Sequence, residues 1–299
     1  MNFNVWGMSG TLVTESAQLH DFASERLTHW LNAIDAACNR FRDDSELSRL
    51  NARGESVMSA TFELALVTAV EAWRATQGLC DPTVLPALQA LGYDADFADV
   101  VRRRDLARGP NTPSPGASAV SLDETSHRVS LAPGCQVDLG ASAKALAVDL
   151  IADDVAPRGG VLVEIGGDVA LRGPGPGPEG AWSIGVSDDL IITGHEPRVS
   201  LTNAGVATSS TRTRAWRAGG QRVHHIIDPR SGAPTAGPYL TATVAAESCR
   251  RANAFATAAL IWGDEAPYHL AQAHCAARLV RDDGTVDYVG GWPVDQAAA

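Results

Sequence analysis

Hydrophobic residues recur at helical spacing in the first third of the chain, and polar turns separate the segments. A short apolar strand is predicted over residues 10–14, and the helix after it has one buried face made of Leu19, Phe22, Leu27, Trp30, Ile34 and Ala37. A second helix is predicted from the spacing of Phe62, Leu66, Val70 and Trp73, with Gly78 closing it. Residues 43–51 and 80–94 each indicate a turn that leads into a short helix.

Alternating and β-branched segments dominate the chain after residue 118, with Gly, Pro and Asp between them. One of these strands is predicted across residues 198–210, and the last strand falls in either "AARLVRDDG" or "TVDYVG". Two helices interrupt the strands, at residues 142–154 and 252–262. Largely antiparallel strands mixed with packing helices indicate an α+β fold, and we expect two interleaved subdomains.

Residues 96–118 are polar and rich in proline and glycine, with the run "RGPNTPSPGAS" at their end. We interpret this segment as an exposed excursion within a single domain of residues 1–299, and not as a linker between domains.

Composition narrows the possible functions. The formal net charge of −11 argues against a nucleic-acid-binding surface. We expect no membrane span, since no apolar stretch reaches the roughly 18–20 residues required. The five cysteines are scattered without CxxC spacing, which is typical of reduced thiols. With no recognisable secretion signal, these features predict a cytoplasmic protein.

Polar side chains gather where strands end and helices begin. In "VDLGASAKALAVD", Asp138 follows a strand, Gly140 permits close backbone approach, and Lys144 lies one turn into the next helix. This pattern fits an anion site at a helix start, but taken alone it favours a simply capped helix. "EIGGDV" is either a tight hairpin or a place where a ligand passes close to the backbone.

Two further segments carry candidate side chains. In "HHIIDPRSG", strand alternation places His225 and Ile227 on one face. His225 is a general base, a phosphate contact or simply a half-exposed strand residue. In "RANAFATAAL", Asn253 and Thr257 stand four residues apart and share one helix face. Because that face otherwise looks buried, the two polar groups need partners there.

Taken together, these segments resemble the ApbE family of FAD:protein FMN transferases. The similarity runs in order through "FRDDSELSRLN", "CDPTVLPALQALGYD", "VDLGASAKALAVD", "VLVEIGGDVALRG", "WSIGVSD", "GVATSSTRTRAW", "HHIIDPRSGAP" and "RANAFATAALIWG". The resemblance implies two α/β subdomains with a cofactor cleft between them. It also implies Mg²⁺-dependent cleavage of FAD, transfer of FMN to a Thr or Ser hydroxyl of an acceptor flavoprotein, and release of AMP.

The resemblance assigns roles to particular residues. It implies a catalytic histidine at His225 and metal ligands at Ala141 (through its backbone oxygen), Asn253 and Thr257. It implies that FAD is contacted by Phe41, Leu79, Cys80, Asp81, Asp138, Lys144 and Ile227. The family usually carries Asp at the position of Asn253, which leaves a non-catalytic FAD-binding protein open as an alternative. An FAD pyrophosphatase, in which water replaces the acceptor hydroxyl, is the other alternative.

Overall fold

Residues 1–188 and 196–295 are described by a computed structural model. The helices are α1 (Ala17–Cys38), α2 (Glu46–Arg53), α3 (Ala60–Ala75), α4 (Leu85–Ala90), α5 (Phe97–Arg102), α6 (Ala143–Val155), α7 (Cys249–Trp262) and α8 (Ala266–Gln272). Short 3-10 turns occur at Ala117–Ala119, Ala156–Arg158, Pro178–Gly180 and Gly263–Glu265.

The strands are short and numerous. They are β1 (Asn2–Val5), β2 (Met8–Thr14), β3 (Glu55–Val57), β4 (Val120–Asp123), β5 (Arg128–Leu131), β6 (Val161–Ile165), β7 (Asp168–Arg172), β8 (Trp182–Gly185), β9 (Arg198–Leu201), β10 (Gly205–Ser210), β11 (Ala215–Ala218), β12 (Gln221–His224), β13 (Ile227–Asp228), β14 (Ala233–Pro234), β15 (Tyr239–Ala246), β16 (Ala276–Arg281) and β17 (Val286–Val289).

Two compact units divide the chain, and each is assembled from separate segments. The first unit contains Met1–Trp30, Lys144–Thr213 and Gly237–Ala299, and the second contains Leu31–Ala143 and Arg214–Ala236. The predicted α+β class and the interleaving of two subdomains are therefore confirmed. The cofactor cleft remains a prediction.

The first unit is built on an antiparallel sheet of strand order β1-β2-β6-β7-β10-β15-β16-β17. One face of the sheet is covered by an apolar cluster in which Val169 and Val206 pack with Trp182 of β8 and with Trp292. Helix α7 packs against β7, β10 and β15. Because successive side chains of a strand alternate between faces, the residues of β10 next to Val206 point away from the cluster and toward α7.

Helix α7 approaches β10 closely at its N-terminus. A Cβ atom placed on Gly205 of β10 would lie 2.0 Å from the backbone nitrogen of Cys249, so glycine is required there. The fully buried carboxylate of Asp149 on α6 accepts hydrogen bonds from the N–H groups of Cys249 and Arg250, each at 2.9 Å. These bonds satisfy donors that the first turn of a helix leaves unpaired.

The second unit has a three-stranded sheet, β3-β5-β4, and the hairpins β11–β12 and β13–β14. Its aromatic core centres on Tyr93, whose ring centroid lies 6.1 Å from Phe41, 6.0 Å from Phe97 and 5.3 Å from Trp216. Trp216 also donates its ring N–H to the Leu91 carbonyl at 2.7 Å.

Most residues between 96 and 118 are exposed, yet the segment is anchored within the second unit. Leu106 pairs with Ala218 of β11 in a β-bridge. A Cβ on Gly232 would lie 2.0 Å from the Thr112 carbonyl oxygen, and the N–H of Ser114 donates to the Pro229 carbonyl at 2.8 Å. The excursion is thus held against the turn that follows β13.

Several elements differ from the sequence prediction. The strand predicted across residues 198–210 is two strands, β9 and β10, because the chain turns at Asn203 with a φ of +44°. Both candidates for the last strand form, as β16 and β17. Helices α5 and α8, of six and seven residues, were not predicted, since they are too short to show helical periodicity. None of the helices in the described ranges is long and apolar enough to cross a membrane.

The close approach of α7 to β10 predicts a large cost for Gly205→Ala. The added methyl group meets backbone rather than a movable side chain, so we expect the free energy of unfolding to fall by about 3 kcal/mol. Chemical denaturation measures the change. The control is Gly185→Ala in β8, where the nearest atom lies 3.6 Å from the new Cβ, and it should change stability by less than about 1 kcal/mol. Equal effects of the two substitutions would contradict this account of the packing.

Candidate functional site

A two-glycine turn places Asp168 in the first unit. Gly166 and Gly167 have φ values of +58° and +91° and join β6 to β7, with Ile165 and Asp168 as the closing pair. Of the two sequence interpretations of "EIGGDV", the tight hairpin is therefore the one observed. Glu164 fixes the turn by accepting the N–H of Gly167 at 2.9 Å, and burial raises the pKa of its carboxyl group.

Two candidate residues meet at the carboxylate of Asp168, which is only 1% exposed. The Nζ atom of Lys144, from the first turn of α6, lies 3.1 Å from Asp168 Oδ2 as an ion pair without hydrogen-bond geometry. Asn253 of α7 donates its Nδ2 to Asp168 Oδ1 at 2.8 Å. The amide oxygen of Asn253 is buried and accepts no hydrogen bond from the residues that the structure describes.

Thr257 lies one helical turn after Asn253, on the same face of α7, as the spacing predicted. Its Oγ1 lies 3.2 Å from the hydroxyl of Ser209 on β10. Across residues 1–188 and 196–295, no group of three or more His, Cys, Asp or Glu side chains could hold a metal ion. A cation on this face of α7 would therefore depend in part on amide and hydroxyl oxygens. Such hard oxygen donors suit Mg²⁺, and the unsatisfied Asn253 oxygen fits that use.

Asp138 is the centre of a second polar group, in the second unit. Its Oδ2 lies 2.7 Å from Nε of Arg40, and both side chains are only 10% exposed. Its Oδ1 accepts the N–H of Gly140 at 2.5 Å. The charge of Asp138 is therefore balanced by a cation that the sequence analysis did not select.

Arg40 is held by aromatic rings as well as by Asp138. Its guanidinium carbon lies 4.2 Å from the ring centre of Phe41 and 4.5 Å from that of Tyr93, and its Nη1 donates to the Tyr93 carbonyl at 2.9 Å. One face of Phe41 is thus covered by a cation. A nucleotide base that stacks on Phe41 would have to use the opposite face.

The stretch Leu79, Cys80 and Asp81 is buried in the second unit. Burial raises the pKa of the Cys80 thiol to about 12, so that this cysteine remains protonated at neutral pH. Asp81 Oδ1 accepts both the N–H and the hydroxyl of Thr83, at 2.8 and 2.7 Å, and burial raises the pKa of Asp81. In this structure the Asp81 side chain shapes the turn that leads into α4.

The strand predicted through residues 224–227 is interrupted, because β12 ends at His224 and β13 begins at Ile227. His225 is half-buried between them, and its backbone N–H donates to the Arg214 carbonyl at 3.3 Å. Ile227 is buried in the cluster around Trp216. The ring of His224 lies 3.1 Å from the Thr235 carbonyl, and burial lowers the pKa of this histidine.

The structure thus brings Lys144 and Asn253 together on Asp168, with Thr257 one turn away, and it places Asp138 beside Arg40 and Phe41 in the second unit. Ala141 is exposed in the turn before α6. Sequence reasoning gave no role to Asp168 or Arg40. The position of Asp168 directly after two glycines is a local sequence feature that could have marked it as a candidate. No local feature marks Arg40.

Comparisons with known proteins match almost the whole chain to a single family. The sequence profile of the ApbE family matches residues 7–279. An FAD:protein FMN transferase of Vibrio cholerae is 28% identical over 268 residues, which cover 86% of this chain and 79% of the relative. An FAD:protein FMN transferase of Haemophilus influenzae is 26% identical over 289 residues, covering 92% of this chain and 82% of the relative.

Solved structures share the fold at lower sequence identity. The crystal structure of the ApbE protein from Thermotoga maritima has a TM-score of 0.79 at 23% identity, covering 97% of this chain and 96% of that one. The apo form of the Pseudomonas stutzeri flavinyl transferase ApbE has a TM-score of 0.78 at 23% identity, covering 97% and 93%.

The ion pair of Arg40 and Asp138 is mostly shielded from solvent, which predicts that loss of the cation is costly. Arg40→Met keeps the apolar stem but leaves the Asp138 carboxylate without its partner, so we expect the free energy of unfolding to drop by about 3 kcal/mol. Arg102→Met is the control, because its pair with Asp99 is 76% and 56% exposed and should contribute about 0.5 kcal/mol or less. Urea denaturation of both variants measures the difference, and an Arg40→Met protein as stable as the control would refute this role.

Proposed function

The chain belongs to the ApbE family, and on that premise we propose that it is an FAD:protein FMN transferase. It cleaves FAD, transfers FMN to a Thr or Ser hydroxyl of an acceptor flavoprotein, and releases AMP. The observation that carries the proposal is the family match over residues 7–279, since this range includes every candidate site residue from Phe41 to Thr257.

The reaction sets clear chemical demands. The acceptor oxygen attacks the phosphorus of the FMN half, the bond from that phosphorus to the bridging oxygen breaks, and AMP leaves. The pyrophosphate is dianionic, so attack by a hydroxyl requires charge neutralisation, a base and in-line positioning. We assign the base to His225, which takes the hydroxyl proton, and a cationic contact with FAD to Lys144.

Mg²⁺ would be held by the amide oxygen of Asn253, the hydroxyl of Thr257 and the backbone oxygen of Ala141. When bound, it supplies positive charge for the phosphate oxygens. The support in the structure is the buried, unsatisfied oxygen of Asn253 with Thr257 on the same helix face.

In the second unit we propose that FAD is contacted at Phe41, Asp81 and Asp138 and along the stretch that includes Leu79, Cys80 and Ile227. Phe41 is partly buried against the cluster around Trp216, with Arg40 over one face of its ring, and Asp138 is fixed in place by Arg40. Leu79, Cys80 and Ile227 are almost fully buried, so their main contribution is to the shape of the surface around the ligand.

We also propose a cytoplasmic location. All five cysteines lie in the described part of the chain, and each is buried and free. Unpaired cysteines are typical of proteins in a reducing compartment.

Incubation with FAD, Mg²⁺ and a Thr-containing acceptor tests the function. We expect AMP release, measured by chromatography, together with an acceptor mass increase of one FMN, and loss of both when EDTA removes the metal. AMP without the mass increase would identify an FAD pyrophosphatase. Bound flavin without AMP would identify an FAD-binding protein, and neither product nor bound flavin would exclude all three functions.

The role of His225 makes a separate prediction. His225→Ala should lower the rate of AMP release at least about 100-fold, because general bases contribute on the order of 10²–10⁴ to rates. The Kd for FAD, measured by flavin fluorescence, should stay within about threefold. His224→Ala is the control at the adjacent position, and we expect most of its activity to remain. Unchanged turnover of His225→Ala would reduce this histidine to a structural residue.

A further inference from the structure

The amide of Asn253 has a defined orientation, and its neighbour dictates it. A carboxylate only accepts hydrogen bonds, so the group of Asn253 that lies 2.8 Å from Asp168 Oδ1 must be the NH₂ donor. The oxygen of the same amide therefore points away from Asp168. It is buried and accepts no hydrogen bond within the described ranges of the chain. Buried polar atoms in folded proteins nearly always have a partner, so this oxygen is available to a bound ligand or water.

Asp168 is itself held rigidly. It is 1% exposed, it follows the tight Gly166–Gly167 turn, and Lys144 pairs with its second oxygen at 3.1 Å. Because Lys144 balances its charge, Asp168 adds little net field to the site. What it does provide is a fixed acceptor on one side of Asn253.

We propose that Asp168 is the positioning residue that makes Asn253 a ligand for the divalent cation. By accepting Nδ2, Asp168 fixes the Asn253 side chain so that Oδ1 is presented outward. This inference rests on the proposed function, since it takes Asn253 to be a metal ligand. It adds the reason why an amide works at this position: an amide has only one ligating end, so it must be turned the right way, whereas a carboxylate has two equivalent oxygens.

A carboxylate introduced at residue 253 alone would change the charge of the site and its hydrogen bonding together. In Asn253→Asp the donor to Asp168 disappears, and two carboxylates face each other where a 2.8 Å hydrogen bond stood. The matched change is the double variant Asn253→Asp with Asp168→Asn. It keeps the total charge and the hydrogen bond, with the donor now on residue 168.

Manganese binding tests the proposal without relying on turnover. Mn²⁺ is titrated into the full chain with stoichiometric FAD and no acceptor, and free Mn²⁺ is followed by electron paramagnetic resonance, with FAD alone as the blank. Thermal unfolding of each variant confirms that it is folded.

In Asp168→Asn the two amides can pair in either direction, so Oδ1 is no longer fixed. We expect its Kd for Mn²⁺ to rise at least about tenfold, within the range of 10–100-fold known for residues behind a metal ligand. The double variant should bind Mn²⁺ within about threefold of the parent protein or more tightly. If Asp168 served only as the ion-pair partner of Lys144, the second substitution would not restore Mn²⁺ affinity.

The outcomes separate the two levels of inference. A folded Asp168→Asn protein with an unchanged Kd, or a double variant as weak as Asp168→Asn alone, would overturn the positioning role while leaving the transferase proposal intact. If Asp168→Asn does not fold, the double variant alone tests the positioning role of Asp168. Weak Mn²⁺ binding by a folded double variant would then overturn that role. A parent protein that binds no Mn²⁺ beyond the FAD blank would contradict the metal site itself.

Discussion

The backbone contact between α7 and β10 is the constraint on which the first unit's polar site depends. Gly205 lets the start of α7 approach β10 to within backbone contact, and Asp149 holds the first two N–H groups of the helix. With its start fixed, the helix carries Asn253 to Asp168 on β7 and Thr257 to Ser209 on β10. A shift of one residue along α7 would rotate that face by about 100° and remove both contacts.

Two buried aspartates, Asp149 and Asp168, and the partly buried Asp138 show how the charges of interior carboxylates are balanced in this acidic chain. Asp168 is paired with Lys144, Asp138 with Arg40, and Asp149 with two backbone N–H groups and with Arg172 at 3.2 Å. Burial raises the pKa of Asp149, and its hydrogen bonds and Arg172 act in the opposite direction. Each carboxylate thus has donors on several sides, so each can order the segments around it. Among the described residues of this neighbourhood, two buried oxygens accept no hydrogen bond: Asp168 Oδ2, whose charge Lys144 balances, and Asn253 Oδ1.

The sequence was sufficient for the parts of the fold that depend on periodicity. The buried positions Leu19, Leu27, Ile34 and Ala37 of α1 and the shared face of Asn253 and Thr257 follow from local spacing. The family resemblance, carried by motifs in sequence order, gave the function.

Long-range pairings could not be read in the same way. Asp168 and Asn253 are 85 residues apart, and neither local sequence indicates that the two side chains will be in contact. The role of Arg40 depends on its contacts with Asp138 and Tyr93, which lie far from it in sequence. The strand break at His225 also escaped prediction, because alternation alone does not reveal where pairing stops. The central proposal is that FAD cleavage depends on a divalent cation held by the Asn253–Thr257 face of α7. Anomalous diffraction from crystals grown with Mn²⁺ and FAD tests it most directly: the account predicts a manganese peak in direct contact with Asn253 Oδ1 and Thr257 Oγ1. A manganese peak that touches neither residue would contradict it.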